Sequence, residues 1–173
     1  MFKTDRLYFE EITIENFNDL KTILQDETLM LLGWGKIYSD NDVTQWIKKI
    51  TAQYKSHGYS YWLVKKRETN QTVGIMGLIP TTIENTPYNE VAYIVKKEFQ
   101  GQGLAIEGMI GLKEYAFSQF NLTSFIAQFV PENISSEKIA QKLGMTYQFS
   151  YVRDINGENR KHLVYGISKK ETE

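Results

Sequence analysis

One stretch of the chain, residues 90–117, limits the possible folds more than any other. Val91 to Val95 are mostly β-branched or aromatic residues, which predicts a half-buried strand. Gly101 and Gly103 then interrupt the pattern, and from Leu104 the apolar residues recur at the spacing of a helix. A helix that begins at a glycine turn has unpaired N–H groups at the positive end of its dipole. The stretch therefore predicts a phosphate-binding site between a strand and a helix.

The remaining sequence predicts one α/β domain that spans residues 1–173. Runs of β-branched and aromatic residues predict strands, whereas capping residues followed by apolar residues at helical spacing predict helices. The predicted order is β-α-α-β-β-β-α-β-α-β-β. We predict strands at residues 6–12, 59–65, 72–79, 90–95, 124–130, 145–152 and 162–167. We predict that the helices begin near Thr13, Ser39, Leu104 and Pro131.

Glycine and proline mark the predicted connections. Residues 31–35 are predicted to form a loop, because two glycines flank Trp34; its indole would be exposed or would face a ligand. Residues 80–87, with a proline at each end, are predicted to form a second loop. Asn156-Gly157 is a typical hairpin turn, so the last two strands are predicted to form a hairpin.

The composition excludes several functional classes. The net charge of −1 gives no electrostatic reason to expect nucleic acid or an anionic membrane as a partner. The absence of cysteine excludes disulfides, thiolate metal ligands and a cysteine nucleophile, and two distant histidines, His57 and His162, favour no metal site. No apolar run reaches the length of a membrane span, and the N-terminus lacks the apolar segment of a signal peptide. We therefore expect a cytoplasmic protein.

The glycine turn can be compared with three phosphate-binding patterns. A Walker loop requires Gly-Lys-Ser or Gly-Lys-Thr, which residues 103–105 lack. A dinucleotide fingerprint requires three glycines directly after the strand, but position 106 is isoleucine and residues 96–99 separate the turn from the strand. The third pattern, Q/R-x-x-G-x-G/A, matches residues 100–105 at every fixed position. A plain tight turn without a ligand is the alternative at this point.

Four segments, in the expected order, resemble motifs of the GNAT N-acetyltransferase superfamily, and within it the RimJ/RimL-like branch of ribosomal-protein N-terminal acetyltransferases. Residues 4–9 resemble its opening strand T-E-R-L-x-L, and residues 90–95 resemble E-I-G-Y-x-L. Residues 131–145 resemble P-x-N-x-x-S-x-x-x-x-x-K-x-G-F, and residues 156–165 resemble the final hairpin D-G-x-x-R-D-H-x-x-Y. Because the ordered matches span nearly the whole chain, the resemblance is more specific than the glycine pattern alone.

The resemblance implies one GNAT-type domain, with a mixed and mostly antiparallel sheet flanked by helices, and acetyl-CoA as the acetyl donor with no metal. In the family, the pantetheine arm of the donor lies beside the strand that precedes the glycine turn. The resemblance therefore implies main-chain contacts to the arm from Ile94 and Val95, and a side-chain contact from Asn133, for which a simple helix N-cap is the alternative. The pyrophosphate contacts would come from Gln100, Gly101, Gln102, Gly103, Leu104 and Ala105.

Two side chains are predicted to take part in the chemistry. An alkylamine with a pKa of about 10 is mostly charged at neutral pH, so a base or a chain of water molecules must take its proton. Glu90, which matches the glutamate of the family, is the predicted base; the alternative is a surface glutamate at a strand end. Many relatives carry a tyrosine acid where this chain has Ala140. Ser136 is therefore predicted to hydrogen-bond the departing thiolate, and a solvated helix serine is the alternative.

The acceptor is predicted to enter between the early helices and the last hairpin, past Trp34, Tyr88 and Tyr151. We expect acetyl transfer to a primary amine by direct attack in a ternary complex. A protein N-terminal α-amine is the first candidate, and a small-molecule amine (polyamine, amino acid or antibiotic) is the second. A non-catalytic acyl-CoA-binding sensor is a further alternative, because Ala140 replaces the tyrosine and Arg153-Asp154 stand where some relatives place a carboxylate. A homodimer is an expectation from the family alone.

Overall fold

The computed structural model describes residues 2–169. Their strands are β1 (Phe2–Lys3), β2 (Leu7–Glu11), β3 (Tyr61–Lys66), β4 (Thr72–Ile83), β5 (Thr86–Val95), β6 (Ser124–Phe129), β7 (Thr146–Ile155) and β8 (Glu158–Ser168). Their α-helices are α1 (Phe17–Leu24), α2 (Glu27–Gly33), α3 (Asp40–His57), α4 (Leu104–Gln119) and α5 (Ile134–Lys142). No helix within this range is long and apolar enough to cross a membrane.

The strands of the described range form one mixed sheet with the order β1-β2-β3-β4-β5-β6-β8-β7. Every neighbouring pair is antiparallel except β5 and β6, which run parallel. The predicted fold class, a mixed and mostly antiparallel sheet flanked by helices, is therefore confirmed. The predicted order of elements holds as well, apart from two additions, the two-residue strand β1 and the helix α2.

Helices cover both faces of the sheet. Because successive side chains of a strand point to opposite faces, one strand contributes to both cores. On β3, Tyr61 and Leu63 join the core under α1, α2 and α3, whereas Trp62 and Val64 join the core under α4 and α5. The sheet therefore separates a face covered by the N-terminal helices from a face covered by the C-terminal helices.

The expectation of a loop at residues 80–87 is wrong. β4 and β5 continue through this segment as one long hairpin, which pairs Ile83 with Thr86. The reversal occurs at Glu84 and Asn85, whose φ angles of 47° and 67° are left-handed, as a tight two-residue hairpin turn requires. The turn therefore consists of two residues without glycine, which the dipeptide signals for turns did not indicate.

The two prolines fit the hairpin because of the hydrogen-bonding pattern between its strands. The N–H of Lys96 donates to the carbonyl of Val73 (2.9 Å), and in an antiparallel pair every second position forms such a hydrogen-bonded pair. Counting along the register from this pair puts Pro80 and Pro87 at non-hydrogen-bonded positions. Proline lacks an N–H group, but no N–H is needed at these positions. A proline in a strand therefore does not exclude pairing when its N–H would face away from the partner.

The expected loop at residues 31–35 is in part a helix. Helix α2 begins after Asp26, whose side chain accepts hydrogen bonds from the N–H groups of Thr28 (2.9 Å) and Leu29 (3.1 Å). The helix has seven residues, which is too short for its apolar residues to show a clear helical period. Trp34 follows directly after α2, and its N–H donates to the carbonyl of Met30 (2.9 Å).

The parallel strands β5 and β6 separate soon after they meet. Among the described residues, their register contains the single pair Glu90 and Ile126. Beyond this pair, residues 91–95 remain paired with β4 and residues 127–129 remain paired with β8. The carboxyl-terminal halves of the two strands therefore leave a gap in the middle of the sheet.

Candidate functional site

A cavity of about 500 Å³ lies at the gap between β5 and β6. Ala92 of β5 packs toward the core of the N-terminal helices, and Tyr93 packs toward the core of the C-terminal helices. Both residues line the cavity, as do Trp34 beside α2 and Ile139 of α5. The cavity therefore passes through the sheet and connects its two faces.

The main chain of β5 presents only alternate residues to this gap. The pattern of hydrogen bonds between β4 and β5 pairs Ile94 with Ile75, so both main-chain groups of Ile94 face β4. The main-chain groups of Tyr93 and Val95 therefore face the gap. Of the two residues predicted to offer main-chain contacts, Val95 has the required direction and Ile94 does not. Sequence alone does not give the register of the hairpin, and the register decides this direction.

The glycine turn presents a row of N–H groups at the start of α4. Gly101 and Gly103 have φ angles of 73° and 76°, which are left-handed and favour glycine. Within residues 2–169, the N–H groups of residues 101–106 have no hydrogen-bond acceptor. A Cβ atom added to Gly101 would meet no atom within 4 Å, so the space beside the turn is open. The turn lies outside the walls of the cavity, but it fits an anion such as a pyrophosphate.

The segment just before β2 holds the turn in place through Thr4 and Arg6. The side chain of Arg6 donates to the carbonyl of Gln102 (3.0 Å) and to the carboxylate of Glu107 (2.6 Å). That carboxylate also accepts from the hydroxyl of Thr4 (2.6 Å) and from the N–H of Arg6 (2.8 Å). Burial raises the pKa of Glu107, but the hydrogen bonds from Thr4 and Arg6 outweigh this effect and lower it. This contact could not be predicted from the sequence, because about a hundred residues separate its partners.

The side chains of the turn also contact neighbouring backbone. The amide Nε2 of Gln100 donates to the carbonyl of Val95 (2.9 Å), which connects the turn to the end of β5. The amide Nε2 of Gln102 donates to the carbonyl of Glu98 (2.8 Å). Gln100 therefore has a structural role that the sequence pattern alone does not reveal. Leu104 is buried at the start of α4, and Ala105 packs against the same core.

Asn133 and Ser136 lie at the start of α5 and line the cavity. The side-chain oxygen of Asn133 accepts from the N–H of Ser136 (3.2 Å) and from the hydroxyl of Ser135 (3.0 Å). Asn133 is thus an N-cap, which leaves its amide Nδ2 for another partner. Ala140 is buried and lines the cavity at the position where many relatives carry tyrosine.

Tyr93 brings a second hydroxyl group to Ser136. The hydroxyl oxygens of Tyr93 and Ser136 are 3.4 Å apart, and both residues line the cavity. Burial raises the pKa of the Tyr93 phenol, so the phenol stays protonated at neutral pH. The residues predicted for the site do not include Tyr93. Its side chain points to the face of α4 and α5, whereas that of Glu90 points to the other face. Because side chains alternate along a strand, the odd separation of three positions between the two residues indicates opposite faces, and this was the available signal in the sequence.

Glu90 lies on the floor of the cavity and is 9% exposed. Its carboxylate accepts a hydrogen bond from the amide Nε2 of Gln128 (2.8 Å), and the Oε1 atom of Gln128 accepts from the hydroxyl of Tyr151. Burial raises the pKa of Glu90, against the opposing effects of the Gln128 hydrogen bond and the charge of Arg153. The alternative of a surface glutamate at a strand end is therefore excluded.

Aromatic rings form the wall of the cavity on the face of the N-terminal helices. The ring of Trp34 lies 5.7 Å from that of Tyr61, 5.9 Å from that of Trp46 and 6.0 Å from that of Tyr38, measured between centroids. All four residues line the cavity. Trp34, which was predicted to be exposed or to face a ligand, is half-buried at this wall.

Tyr88 and Tyr151, the other two predicted wall residues, lie apart from the cavity lining. Tyr88 packs with Phe149 and Tyr151 in a small cluster around Ile126, and it borders a separate depression on the surface. The cause is the extension of β5 back to Thr86: because each strand residue advances about 3.4 Å, Tyr88 lies about 7 Å along the strand from Glu90 and outside the lining. Tyr151 is connected to the site by its hydrogen bond to Gln128, and its ring lies 5.8 Å from that of His162, which lines the cavity.

The tip of the β7–β8 hairpin contacts the segment after α2 at the edge of the cavity. The side-chain amide of Asn156 donates to the carbonyl of Gly35 (3.1 Å), which joins the hairpin to the segment after α2. Ile155 also lies beside Gly35, and both hairpin residues line the cavity. This contact lies where we predicted the acceptor to enter, between the early helices and the last hairpin. His162 lies below it, where burial lowers its pKa and its Nδ1 atom is 3.1 Å from the carbonyl of Arg160.

The site joins an anion cradle on one face of the sheet to a buried carboxylate on the other, with two hydroxyl groups at the gap between them. Such an arrangement suits transfer of an acyl group from a phosphate-bearing donor to an acceptor that must lose a proton. Within residues 2–169, no group of three or more histidine, cysteine, aspartate or glutamate residues could hold a metal ion. The fold and the site therefore define an acyltransferase.

Comparison with known proteins shows that the chain belongs to the GNAT acetyltransferase family. A family model described as an acetyltransferase (GNAT) domain matches residues 6–146. The uncharacterized protein YkkB of Bacillus subtilis is 24% identical over 162 residues, which cover 94% of this chain and 92% of YkkB. The predicted family and the predicted class of enzyme, an N-acetyltransferase, are thus confirmed.

Two solved structures show how the fold is used by relatives with different acceptors. RimL, the ribosomal L7/L12 alpha-N-protein acetyltransferase, was solved with coenzyme A; it is 15% identical, with a TM-score of 0.81 over 95% of each chain. Spermidine N-acetyltransferase from Vibrio cholerae was solved with CoA and spermine; it is 17% identical, with a TM-score of 0.78 over 94% of this chain and 95% of that one. At these identities the likeness establishes the fold and leaves the acceptor open.

Proposed function

We propose that this N-acetyltransferase moves the acetyl group of acetyl-CoA to a primary amine by direct attack in a ternary complex, and that its acceptor is a protein N-terminal α-amine. The observation that carries the proposal is the row of N–H groups at residues 101–106, which have no acceptor within the described chain. The helix that begins at this turn, α4, packs on the same face of the sheet as α5, whose first residues include Asn133 and Ser136. A phosphate-bearing donor held there would direct its other end toward Glu90.

Residues 101–105 would hold the pyrophosphate, because the glycines allow close approach and the helix dipole favours an anion. The N–H of Gln100, which was predicted to belong to this set, already donates to the carbonyl of Lys97 (3.1 Å). The N–H of Val95 and the Nδ2 of Asn133 would bind the pantetheine arm. Asn133 can cap α5 and bind the arm at once, since only its Oδ1 atom accepts from the N–H of Ser136. The donor supplies an activated acetyl group as a thioester.

Glu90 would take the proton from the attacking amine. The amine nitrogen forms a bond to the carbonyl carbon of the thioester, and the bond from that carbon to sulfur breaks. A base must be ionised to act. Burial raises the pKa of Glu90 and favours its neutral form, and the hydrogen bond from Gln128 and the charge of Arg153 oppose this effect. A carboxylate with a raised pKa accepts a proton more readily than an exposed one does.

Ser136 would give the departing thiolate a hydrogen bond or a proton, and Tyr93 lies within reach to replace that proton. The hydroxyl of Tyr93 is 3.4 Å from that of Ser136 and stays protonated at neutral pH. The N–H of Tyr93, which faces the gap next to Ile94, would stabilise the oxyanion of the tetrahedral intermediate. No side chain forms a covalent bond to the acetyl group in this scheme.

The choice of an α-amine has a physical reason. A protein N-terminal amine has a pKa of about 8, roughly two units below that of an alkylamine. More of it is neutral at physiological pH, so a single buried carboxylate suffices as a base. A small-molecule amine is the second candidate, because the spermidine acetyltransferase of Vibrio cholerae has the same fold.

An assay of thiol release from acetyl-CoA tests the proposal. Peptides with a free N-terminus are compared with the same peptides acetylated at the N-terminus, and with spermidine. We expect release with the free peptides alone. Release only with spermidine would move the assignment to a small-molecule amine. CoA binding in a calorimeter with no acceptor-dependent release would instead favour an acyl-CoA sensor.

A further inference from the structure

The charged side chains around the cavity differ in how they are paired. Two lining carboxylates have partners: Glu90 accepts from Gln128 (2.8 Å), and Asp154 accepts from the N–H of Gly157 (3.0 Å) in the hairpin turn. Among the lining cations, Lys36 forms an ion pair with Asp42 (3.0 Å). The other lysine and arginine side chains of the lining belong to Lys49 and Arg153.

Lys49 and Arg153 have no carboxylate within 4.0 Å among residues 2–169. Lys49 lies on α3 and Arg153 lies on β7, so the two charges reach the cavity from opposite walls. Both residues are exposed, which leaves their charged groups accessible to an entering molecule. The mouth of the cavity therefore carries two cations that form no ion pair within this range.

Arg153 lines the cavity from a position near the hairpin tip, which the fold anchors. Its strand ends at the hairpin tip, where Asn156 is bound to the carbonyl of Gly35. The charge of Arg153 lowers the pKa of Glu90, against the effect of burial, so its field reaches the floor of the cavity. A guanidinium group in this position would repel a polyamine, whose charges are all positive, and would attract an anion.

We propose that Arg153, assisted by Lys49, binds a carboxylate that the acceptor carries close to its amine. The enzyme would thus select α-amines of acidic N-terminal segments over neutral segments and over polyamines. This inference rests on the proposed function and specifies the class of its acceptor. The planar guanidinium matches a carboxylate with two parallel hydrogen bonds, and the lysine adds a point charge from the facing wall.

A purely electrostatic role is the competing explanation for Arg153. If the guanidinium served only to keep Glu90 ionised, its removal would lower kcat equally for every acceptor and would shift the pH–rate profile to higher pH. Recognition of a carboxylate predicts a different result, because KM would rise for acidic acceptors alone. The two explanations are therefore separated by the dependence on the acceptor.

The test uses peptides that begin Ser-Glu, Ser-Gln or Ser-Lys, with free glutamate and spermidine as small-molecule arms. For the wild-type chain we expect kcat/KM to be highest with Ser-Glu, by about tenfold over Ser-Gln, which equals about 1.4 kcal/mol. Arg153→Gln should remove this preference, and Arg153→Glu should reverse it in favour of Ser-Lys. Lys161→Gln, an exposed charge on β8 outside the cavity lining, is the matched control and should change nothing.

Each outcome decides the inference. A preference for free glutamate that also depends on Arg153 supports carboxylate binding and identifies a small molecule as its source. Thiol release without charge preference, or with equal losses for all peptides in Arg153→Glu, overturns the inference and leaves the proposed function standing. If no amine gives thiol release, the proposed function fails. Calorimetry of Ser-Glu peptide with the CoA-loaded chain then decides: binding lost in Arg153→Glu supports the inference, and no binding overturns it.

Discussion

At the donor end of the site, six consecutive N–H groups, residues 101–106, have no acceptor within the described chain, and the space beside Gly101 is open. At the acceptor end, the walls come from α3, β5, β7 and the segment after α2, which are distant in sequence. The donor end uses backbone groups of a contiguous segment, and the acceptor end uses side chains that only the complete fold brings together. The first can therefore be shared across a family, and the second can vary from one member to the next.

The strongest test of this difference is a charge placed within the turn. Gly101→Glu should weaken CoA binding more than about 100-fold, or about 2.7 kcal/mol, because its side chain would enter the open space beside the turn and its carboxylate would repel the phosphate. Isothermal titration with CoA measures the affinity, and thermal melting checks the fold. Gly101→Ala is the control, since it has the same left-handed backbone strain without the charge. Equal affinities of the two variants for CoA would contradict the assignment of the pyrophosphate to this turn.

Removal of the predicted base should affect turnover and leave the donor end intact. Glu90→Gln should lower kcat by about 100-fold at neutral pH, a typical effect for a general base. The loss should shrink at higher pH, where the amine is already neutral, and wild-type kcat should fall as the pH drops through the raised pKa of Glu90. A pH–rate profile of both proteins provides the measurement. CoA affinity should be unchanged, and a profile of unchanged shape would remove Glu90 as the base.

The hydroxyl pair at the gap should have a smaller effect. Ser136→Ala and Tyr93→Phe should each lower kcat by several-fold up to about tenfold, and the double variant should lose little more, because groups that act as a unit are not additive. A thiol leaving group needs less help than the amine does, which is why the effect is smaller than that of Glu90. A double-mutant cycle on kcat makes the measurement. Full additivity would show that the two hydroxyls act separately.

The ion pair beneath the turn should have the smallest effect. Glu107→Gln should cost about 1 kcal/mol of stability at neutral pH, since the carboxylate is partly exposed and solvent screens its bonds to Thr4 and Arg6. The folded state lowers the pKa of Glu107, so its stabilisation is present above the ordinary glutamate pKa and is lost as the pH falls through the lowered value. Urea unfolding measures the free energy of unfolding of both proteins at neutral and at acid pH. The difference between variant and wild type should be present at neutral pH and disappear at acid pH. Glu114→Gln, an exposed position on the same helix, is the control.

The same contrast explains what could be predicted from the sequence. The turn at residues 100–105 and the N-cap Asn133 were identified because their properties depend on neighbours within a few positions. The helix α2 and the hairpin turn at Glu84-Asn85 were missed, because seven residues give no clear period and the turn contains no glycine. Local signals thus identified most elements and failed where an element was short or its turn unusual.

Features that depend on register or on long-range contacts were beyond the sequence. The direction of the Ile94 main chain follows from its pairing with Ile75, and the displacement of Tyr88 follows from the unexpected length of β5. The pairing of Arg6 with Glu107 joins the two ends of a long segment. Each of these requires knowledge of which residues face each other across the fold, and a single sequence contains no direct signal for that.

Amide hydrogen exchange by NMR, with and without CoA, tests the central claim most directly. The N–H groups of residues 101–106 have no acceptor within the described chain, so they should exchange rapidly in the free protein. We predict that saturating CoA slows their exchange strongly, while the amide of Gly157 at the distant hairpin turn is unaffected. If CoA binds and these amides exchange as fast as before, the donor is held elsewhere, and the account of this site is contradicted.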